Sequence, residues 1–270
     1  MTPPKQRQLP AHLPAAVRSD ALARLSRAGC VFPEEELEEL ADAARGDARR
    51  LAPLLRRRVG GEPLAWVTGR VVFCDLALFI LPGVFVPRPQ SQELAERACR
   101  RLPSGGRAVD LGTGCGAIAS VLQRRHPAAA VIGTERDLLA ANCARANGVV
   151  VAEGDLFAAV PGEWRGLVDV ITAVLPYVPT AELAYLPRDV REFEPLLALD
   201  GGNDGLATIR RAVDELGGWL RPGGRVLFEI GGDQAQGLIP ALERAGLRRV
   251  RAWRDEDGDL RGVEATAPPA

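Results

Sequence analysis

Asp110-Leu111-Gly112-Thr113-Gly114-Cys115-Gly116 follows an apolar run at 108–111 and precedes a helix-forming stretch at 117–125. Glycine at every second position lets the main chain turn sharply and come close to a ligand. The helix that follows offers free N–H groups and the positive end of its dipole. Strand, glycine turn and helix together open an α/β unit, and such sheets bind ligands at the carboxyl ends of their strands.

Downstream of this loop, helical stretches alternate with short apolar runs at 130–134, 149–152, 168–174 and 225–230, with two further candidate strands near 249–253 and 261–265. This alternation predicts βαβ units and a mainly parallel sheet with helices on both faces. Upstream, residues 18–60 read as short helices. Leu37, Leu40, Ala41 and Ala44 fall at i, i+3, i+4 and i+7, one face of a helix. Pro33 suits its first position and the following glutamates its positive end, while Gly46 stops it. Asp47 caps the next helix and Gly60-Gly61 end it. Residues 71–86 read as a hairpin turning at Pro82-Gly83. The expected organisation is a helical substrate- or partner-binding domain at 1–70, a β-hairpin linker at 71–91 and the α/β domain at 92–270, with a flexible lead over the first ten residues.

Across 270 residues, 34 Lys and Arg face 35 Asp and Glu, for a net charge of −1, and 47% of residues are hydrophobic. That balance argues against a nucleic-acid-coating domain, and the apolar content against a disordered chain. No window supplies the roughly 18 uninterrupted apolar residues of a membrane span. The first ten residues carry no signal-peptide pattern. The five cysteines form no CxxC pair, and no metal site is expected. Free thiols and a cytoplasmic setting fit best. Lys5 is the only lysine, a compositional bias rather than a functional signal.

Gly112, Gly114 and Ala117 also satisfy the dinucleotide pattern G-x-G-x-x-G/A, so a nicotinamide cofactor is a competing reading. Three acids point instead to S-adenosylmethionine. Asp110, at the end of the strand, can pair with a ligand ammonium group and would repel a pyrophosphate. Glu135 ends the second strand and can take both hydroxyls of a ribose. Gly154-Asp155-Leu156-Phe157 ends the third and can bracket an adenine, Asp155 accepting from its amine and the Leu156 N–H donating. The candidate cofactor residues are therefore Asp110, Gly112, Thr113, Gly114, Gly116, Glu135, Asp155 and Leu156.

With these residues the chain resembles the class I methyltransferases and, within them, the HemK/PrmC family, which methylates the glutamine side-chain amide of the Gly-Gly-Gln motif in peptide-chain release factors. Gly61-Glu62-Pro63-Leu64 with Thr68-Gly69, Val86-Pro87-Arg88-Pro89, Phe193-Glu194-Pro195, Leu199-Asp200-Gly201-Gly202 and Asp204-Gly205-Leu206 carry the resemblance, and Glu229 matches an acid ending the fifth strand. It implies a Rossmann-like mixed seven-stranded sheet with a small N-terminal helical domain. One element departs. Where the family carries Asn-Pro-Pro-Tyr, this chain has Val174-Leu175-Pro176-Tyr177. The family's Asn side chain and the next carbonyl accept hydrogen bonds from the target amide. Valine has no acceptor, and an unpaired amide N–H in a dry site costs about 1–3 kcal/mol.

The sequence thus leads to an expectation of a changed acceptor: methyl transfer to a small molecule of secondary metabolism. Its candidate catalytic residues are Tyr177, Pro176, Glu194 and Glu62, and its substrate-binding residues Val174, Leu175 and Arg88. The alternatives are elimination or ring closure of the aziridine or azabicycle type without S-adenosylmethionine, with Glu62, Glu194 and Glu229 as bases, or a non-catalytic scaffold subunit. Expected partners are a small molecule and a possible protein subunit, with no nucleic acid and no membrane.

Overall fold

The computed structural model describes residues 13–270. The expected flexible lead lies outside the described residues. The described chain divides into two compact units, one running to Arg70 and including Arg188–Phe193, the other formed by Val71–Pro187 and Glu194–Ala270.

The first unit is helical: α1 (Ala15–Arg27), α2 (Pro33–Ala43), α3 (Ala48–Val59), α4 (Leu64–Thr68) and, later in the chain, α8 (Arg188–Phe193). The periodic leucines turn inward, and Leu25, Leu37, Leu40 and Leu51 are fully buried together. Pro33 stands at the start of α2 and three glutamates fill its first turn. The Asp47 side chain accepts from the Arg49 N–H at 2.8 Å, satisfying one of the free donors at the start of α3. The Arg58 guanidinium donates twice to Glu36, at 2.6 and 3.1 Å, tying α3 to α2.

The second unit begins within β1 (Arg70–Phe73), which forms a two-stranded sheet with β2 (Leu76–Phe79). Here the expected hairpin is corrected. The reversal falls at Cys74-Asp75, which take φ of 46° and 62°, the left-handed pair a two-residue hairpin turn needs to match the strand twist. Pro82-Gly83 makes a separate turn, closed by the Val84 N–H on the Leu81 carbonyl at 3.1 Å.

After α5 (Ser91–Arg101) come β3 (Arg107–Leu111), α6 (Ala117–Arg125), β4 (Ala130–Glu135), α7 (Leu138–Ala146), β5 (Val151–Glu153), β6 (Val168–Ala173), α9 (Ala207–Glu215), β7 (Leu220–Glu229), α10 (Ala235–Arg244), β8 (Arg248–Arg254) and β9 (Leu260–Thr266). The sheet order is β5-β4-β3-β6-β7-β9-β8. The first five strands are parallel and β9 pairs antiparallel with both neighbours. The fold is therefore α/β and Rossmann-like, with a mixed seven-stranded sheet. Val109, Leu111, Ile171, Val226 and Phe228 fill its centre; β6 is buried along its whole length, as a central parallel strand must be. Strand order reverses at β3, which lies between β4 and β6. The crevice at that switch point opens beyond the strands' carboxyl ends.

Candidate active site

A cleft enclosing about 770 Å³, open solvent included, lies at that crevice, lined among others by Gly112, Gly114, Glu135, Asp155, Val174 and Thr208.

Glu135, at the end of β4, is the best-organised side chain on the wall. One carboxylate oxygen accepts from the Gly114 N–H at 2.9 Å, and the other from the N–H groups of Arg136 and Asp137 at 2.8 and 2.9 Å. The oxygen bound by Gly114 still has acceptor capacity, the other is filled by its two N–H groups, and the three bonds fix the direction of the carboxylate. The same contact pins the glycine loop. At Gly114, φ is +59° and a Cβ would meet no atom within 4 Å: its outer face is open space against bare main chain.

At the far side of the cleft, Asp155 accepts from Arg211 of α9 at 2.5 Å through one oxygen. Leu156 has φ of 48°, a left-handed conformation that is uncommon for leucine and marks a constrained site. Its N–H donates to no group among the described residues.

Three of the expected cofactor residues stand behind the wall instead of on it. Asp110 is 2% exposed. Its oxygens accept from the hydroxyls of Thr113 and Thr172, both at 2.7 Å, so it braces the loop from below and does not present a carboxylate to a ligand ammonium. Burial pushes its carboxyl up to about 6, against the lowering effect of those hydroxyls. Thr113 is turned toward Asp110, and Gly116 caps α6 with its Cα against Val149.

The acceptor side differs again. Val174, Leu175 and Pro176 line the cleft, and their carbonyl oxygens accept no hydrogen bond among the described residues. Tyr177 does not line it. Its hydroxyl donates to Glu229 at 3.2 Å, and its carbonyl accepts from Gln234 at 2.6 Å. Burial, followed by the nearby Glu229 charge, pushes the phenol up; burial also raises the Glu229 carboxyl. Tyr177, expected as a catalytic residue, thus commits its hydroxyl to Glu229 at the end of β7. The other candidate positioners are committed to ion pairs. Arg88 donates to Glu194 at 2.8 Å and lies over the Phe85 ring. Glu62, in the helical unit, is bound by Arg57. Sequence reading missed Gln234, Thr172, Thr208 and Arg211, whose positions carry no local pattern that announces them.

Among the described residues no cluster of His, Cys, Asp or Glu could hold a metal, and no helix is long and apolar enough to cross a membrane.

Strand order and cleft define a class I methyltransferase fold. A methyltransferase from Pyrococcus furiosus superposes with a TM-score of 0.53 at 20% identity, over 82% of this chain and all of that one, which bears on the fold alone. No protein-family model matches the chain. A release factor glutamine methyltransferase of Geobacter sulfurreducens is 37% identical over 227 residues, 82% of this chain and 76% of that protein. One from Moorella thermoacetica is 40% identical over 230 residues, 81% and 77% of the two chains. The chain belongs to the release factor glutamine methyltransferase (HemK/PrmC) family. It is a methyltransferase, and S-adenosylmethionine is its cofactor.

This membership overturns the expectation of a small-molecule acceptor in secondary metabolism, together with elimination, ring closure and the scaffold role. Relatives at this identity, over four-fifths of the chain, are named for methylating a protein. The expected small-molecule partner is overturned by the same finding, since the substrate in the relatives' names is a protein. The physical reason is that Val174 removes one side-chain acceptor but leaves the main-chain carbonyls of the cleft-lining residues 174–176 without a hydrogen bond among the described residues.

Proposed function

We propose that this chain transfers the methyl group of S-adenosylmethionine to the side-chain amide nitrogen of a glutamine in a peptide-chain release factor. The observation that carries this reading is the pairing, in one cleft, of a glycine cradle oriented by Glu135 with a wall of unbonded main-chain carbonyls at Val174–Pro176. Release factors work on ribosomes, which puts the reaction in the cytoplasm.

The residues present fit the cofactor. The Gly114 face leaves room for a ligand backbone, the Glu135 oxygen beside Gly114 can receive a ribose hydroxyl, and the free Leu156 N–H can donate to an adenine ring nitrogen while Asp155 accepts from its amine. Asp110, Thr113 and Gly116 hold the loop in shape. When bound, the sulfonium supplies a methyl group activated for in-line transfer. The chain's own task is then positioning, since holding a nucleophile at about 3 Å in line is worth several kcal/mol. Such a transfer would leave the cofactor as a neutral thioether and would release one proton from the acceptor amide nitrogen. The carbonyls of Leu175 and its neighbours receive the amide N–H groups and turn the nitrogen toward the methyl. Val174 packs against the apolar part of the glutamine side chain. The helical unit is the proposed docking element for the protein substrate.

Incubation with methyl-labelled S-adenosylmethionine and a release factor should label the Gly-Gly-Gln glutamine, and a factor with that Gln replaced by Ala should stay unlabelled. Binding of S-adenosylmethionine with no label on the intact factor would overturn the proposal.

A further inference from the structure

The cleft-facing residues 174–176 form a short span between two anchors. Upstream, β6 is locked between β3 and β7, with Ala173 opposite Leu111 and Phe228. Downstream, the hold on Tyr177 and Val178 comes from side chains and loops far away in sequence. The Gln234 side-chain amide is the hub. Its Nε2 donates to the Tyr177 carbonyl at 2.6 Å and to the Asp204 carbonyl at 3.1 Å, while its Oε1 accepts from the Gly231 N–H at 3.0 Å. One side chain thus ties together the loops after β6, before α9 and after β7. Its donor and acceptor ends are both used, and their orientation is fixed by the network, because two carbonyls can only be met by the NH2 end. Gly205 shows how tight this knot is: a Cβ there would lie 2.1 Å from both Gln234 Nε2 and the Tyr177 oxygen. Val178 is then bridged to the 199–201 loop, its N–H donating to the Leu199 carbonyl at 3.0 Å and its carbonyl accepting from the Gly201 N–H at 2.9 Å.

We infer that Gln234, which does not line the cleft, is a positioning residue for methyl transfer: it fixes the carbonyl row 174–176 that receives the acceptor amide. The inference rests on the reading of that row as the acceptor wall. With valine at 174, no side-chain amide shares the work of aiming the substrate, so main-chain orientation carries it. A loss of alignment at that row lowers the transfer rate without touching the Glu135 side of the cleft.

The test compares wild type with Gln234→Ala and Gln234→Glu; the latter keeps the length but replaces the donor with a carboxylate that repels both carbonyls. Three quantities are read: kcat for release-factor methylation, the calorimetric Kd for S-adenosylmethionine, and hydrogen–deuterium exchange of the ligand-free proteins. The expected result is a fall in kcat of tenfold or more in both variants, with Kd within twofold of wild type. Exchange should rise across 174–180 and stay unchanged across 111–116. A kcat within twofold of wild type, or exchange at 174–180 that does not change, overturns the inference. So does a Kd that weakens in step with kcat, since that marks general loosening of the fold. If the wild type binds the cofactor but leaves the release factor unlabelled, the proposed function falls, and the exchange data still decide whether Gln234 holds the span.

Discussion

The two halves of the cleft are built in opposite ways. The half formed by the loops after β3 and β4 is local: Gly114 is bound by Glu135 only 21 residues away, and Glu135 by the N–H groups of the two residues that follow it. The half formed by Val174–Pro176 is held from a distance, through the adjoining Tyr177, by Glu229 and Gln234, 52 and 57 residues beyond that tyrosine. A locally organised half should tolerate damage elsewhere in the fold. A remotely held half should be damaged by changes that never touch a ligand.

The largest expected effect follows from Gly205→Ala. The new methyl would clash with the Gln234–Tyr177 bond, and φ of +75° adds strain. A loss of at least about 3 kcal/mol is expected, from overpacking plus the left-handed penalty. In thermal unfolding this appears as a fall in Tm of about 6 °C or more for a chain of this size. An unchanged Tm would show that the knot yields easily.

Next is the pH dependence set by Asp110 beneath the local half. Its carboxyl holds a proton to about pH 6 in the folded chain, against an ordinary value of 3.8. The folded state therefore binds more protons than the unfolded one between those values, and stability falls as pH rises through the window. The contribution is present below pH 4 and gone above pH 6, and amounts to about 3 kcal/mol at most. Urea midpoints at pH 4, 5, 6 and 7 for wild type and Asp110→Asn measure it; the variant should show the flatter profile.

Removal of the Glu135 carboxylate comes third. Glu135→Ala should weaken S-adenosylmethionine binding about 10- to 100-fold, the loss of charge-assisted hydrogen bonds at roughly 1.5–3 kcal/mol. Exchange at 174–180 should not respond, and a response there would break the separation of the two halves. The smallest effect belongs to Arg211→Ala. Its ion pair with Asp155 is about half exposed on both sides, so cofactor affinity should fall by less than about fivefold, with the difference shrinking as salt rises.

The readability of the sequence follows the same division. Glycine spacing after an apolar run gives the loop, and an acid at each strand end gives Glu135 and Asp155, because these features lie within a few residues of the element that uses them. Asp110 was legible as a member of the motif, but its direction was not. Whether an acid at a strand's end faces a ligand or the interior depends on Thr113 and Thr172, and Thr172 lies on another strand. The hairpin turn was misplaced because Pro82-Gly83 is the stronger local turn pattern, whereas Cys74-Asp75 reverse the chain only by adopting left-handed conformations that neither residue advertises. The absent asparagine at 174 pointed away from a protein acceptor. A side-chain substitution is visible in the sequence, while free main-chain carbonyls are not.

The amino-acid order alone determined the βαβ alternation, the glycine loop, the two acids of the cofactor side and the helical start of the chain, since period and capping act over a turn or two of backbone. Only the tertiary structure decided which acid faces the cleft, which ion pairs absorb Arg88, Glu194 and Glu62, and that Gln234 closes the acceptor wall. Those outcomes depend on hydrogen bonds between groups that the folded sheet, and not the chain, brings within 3 Å.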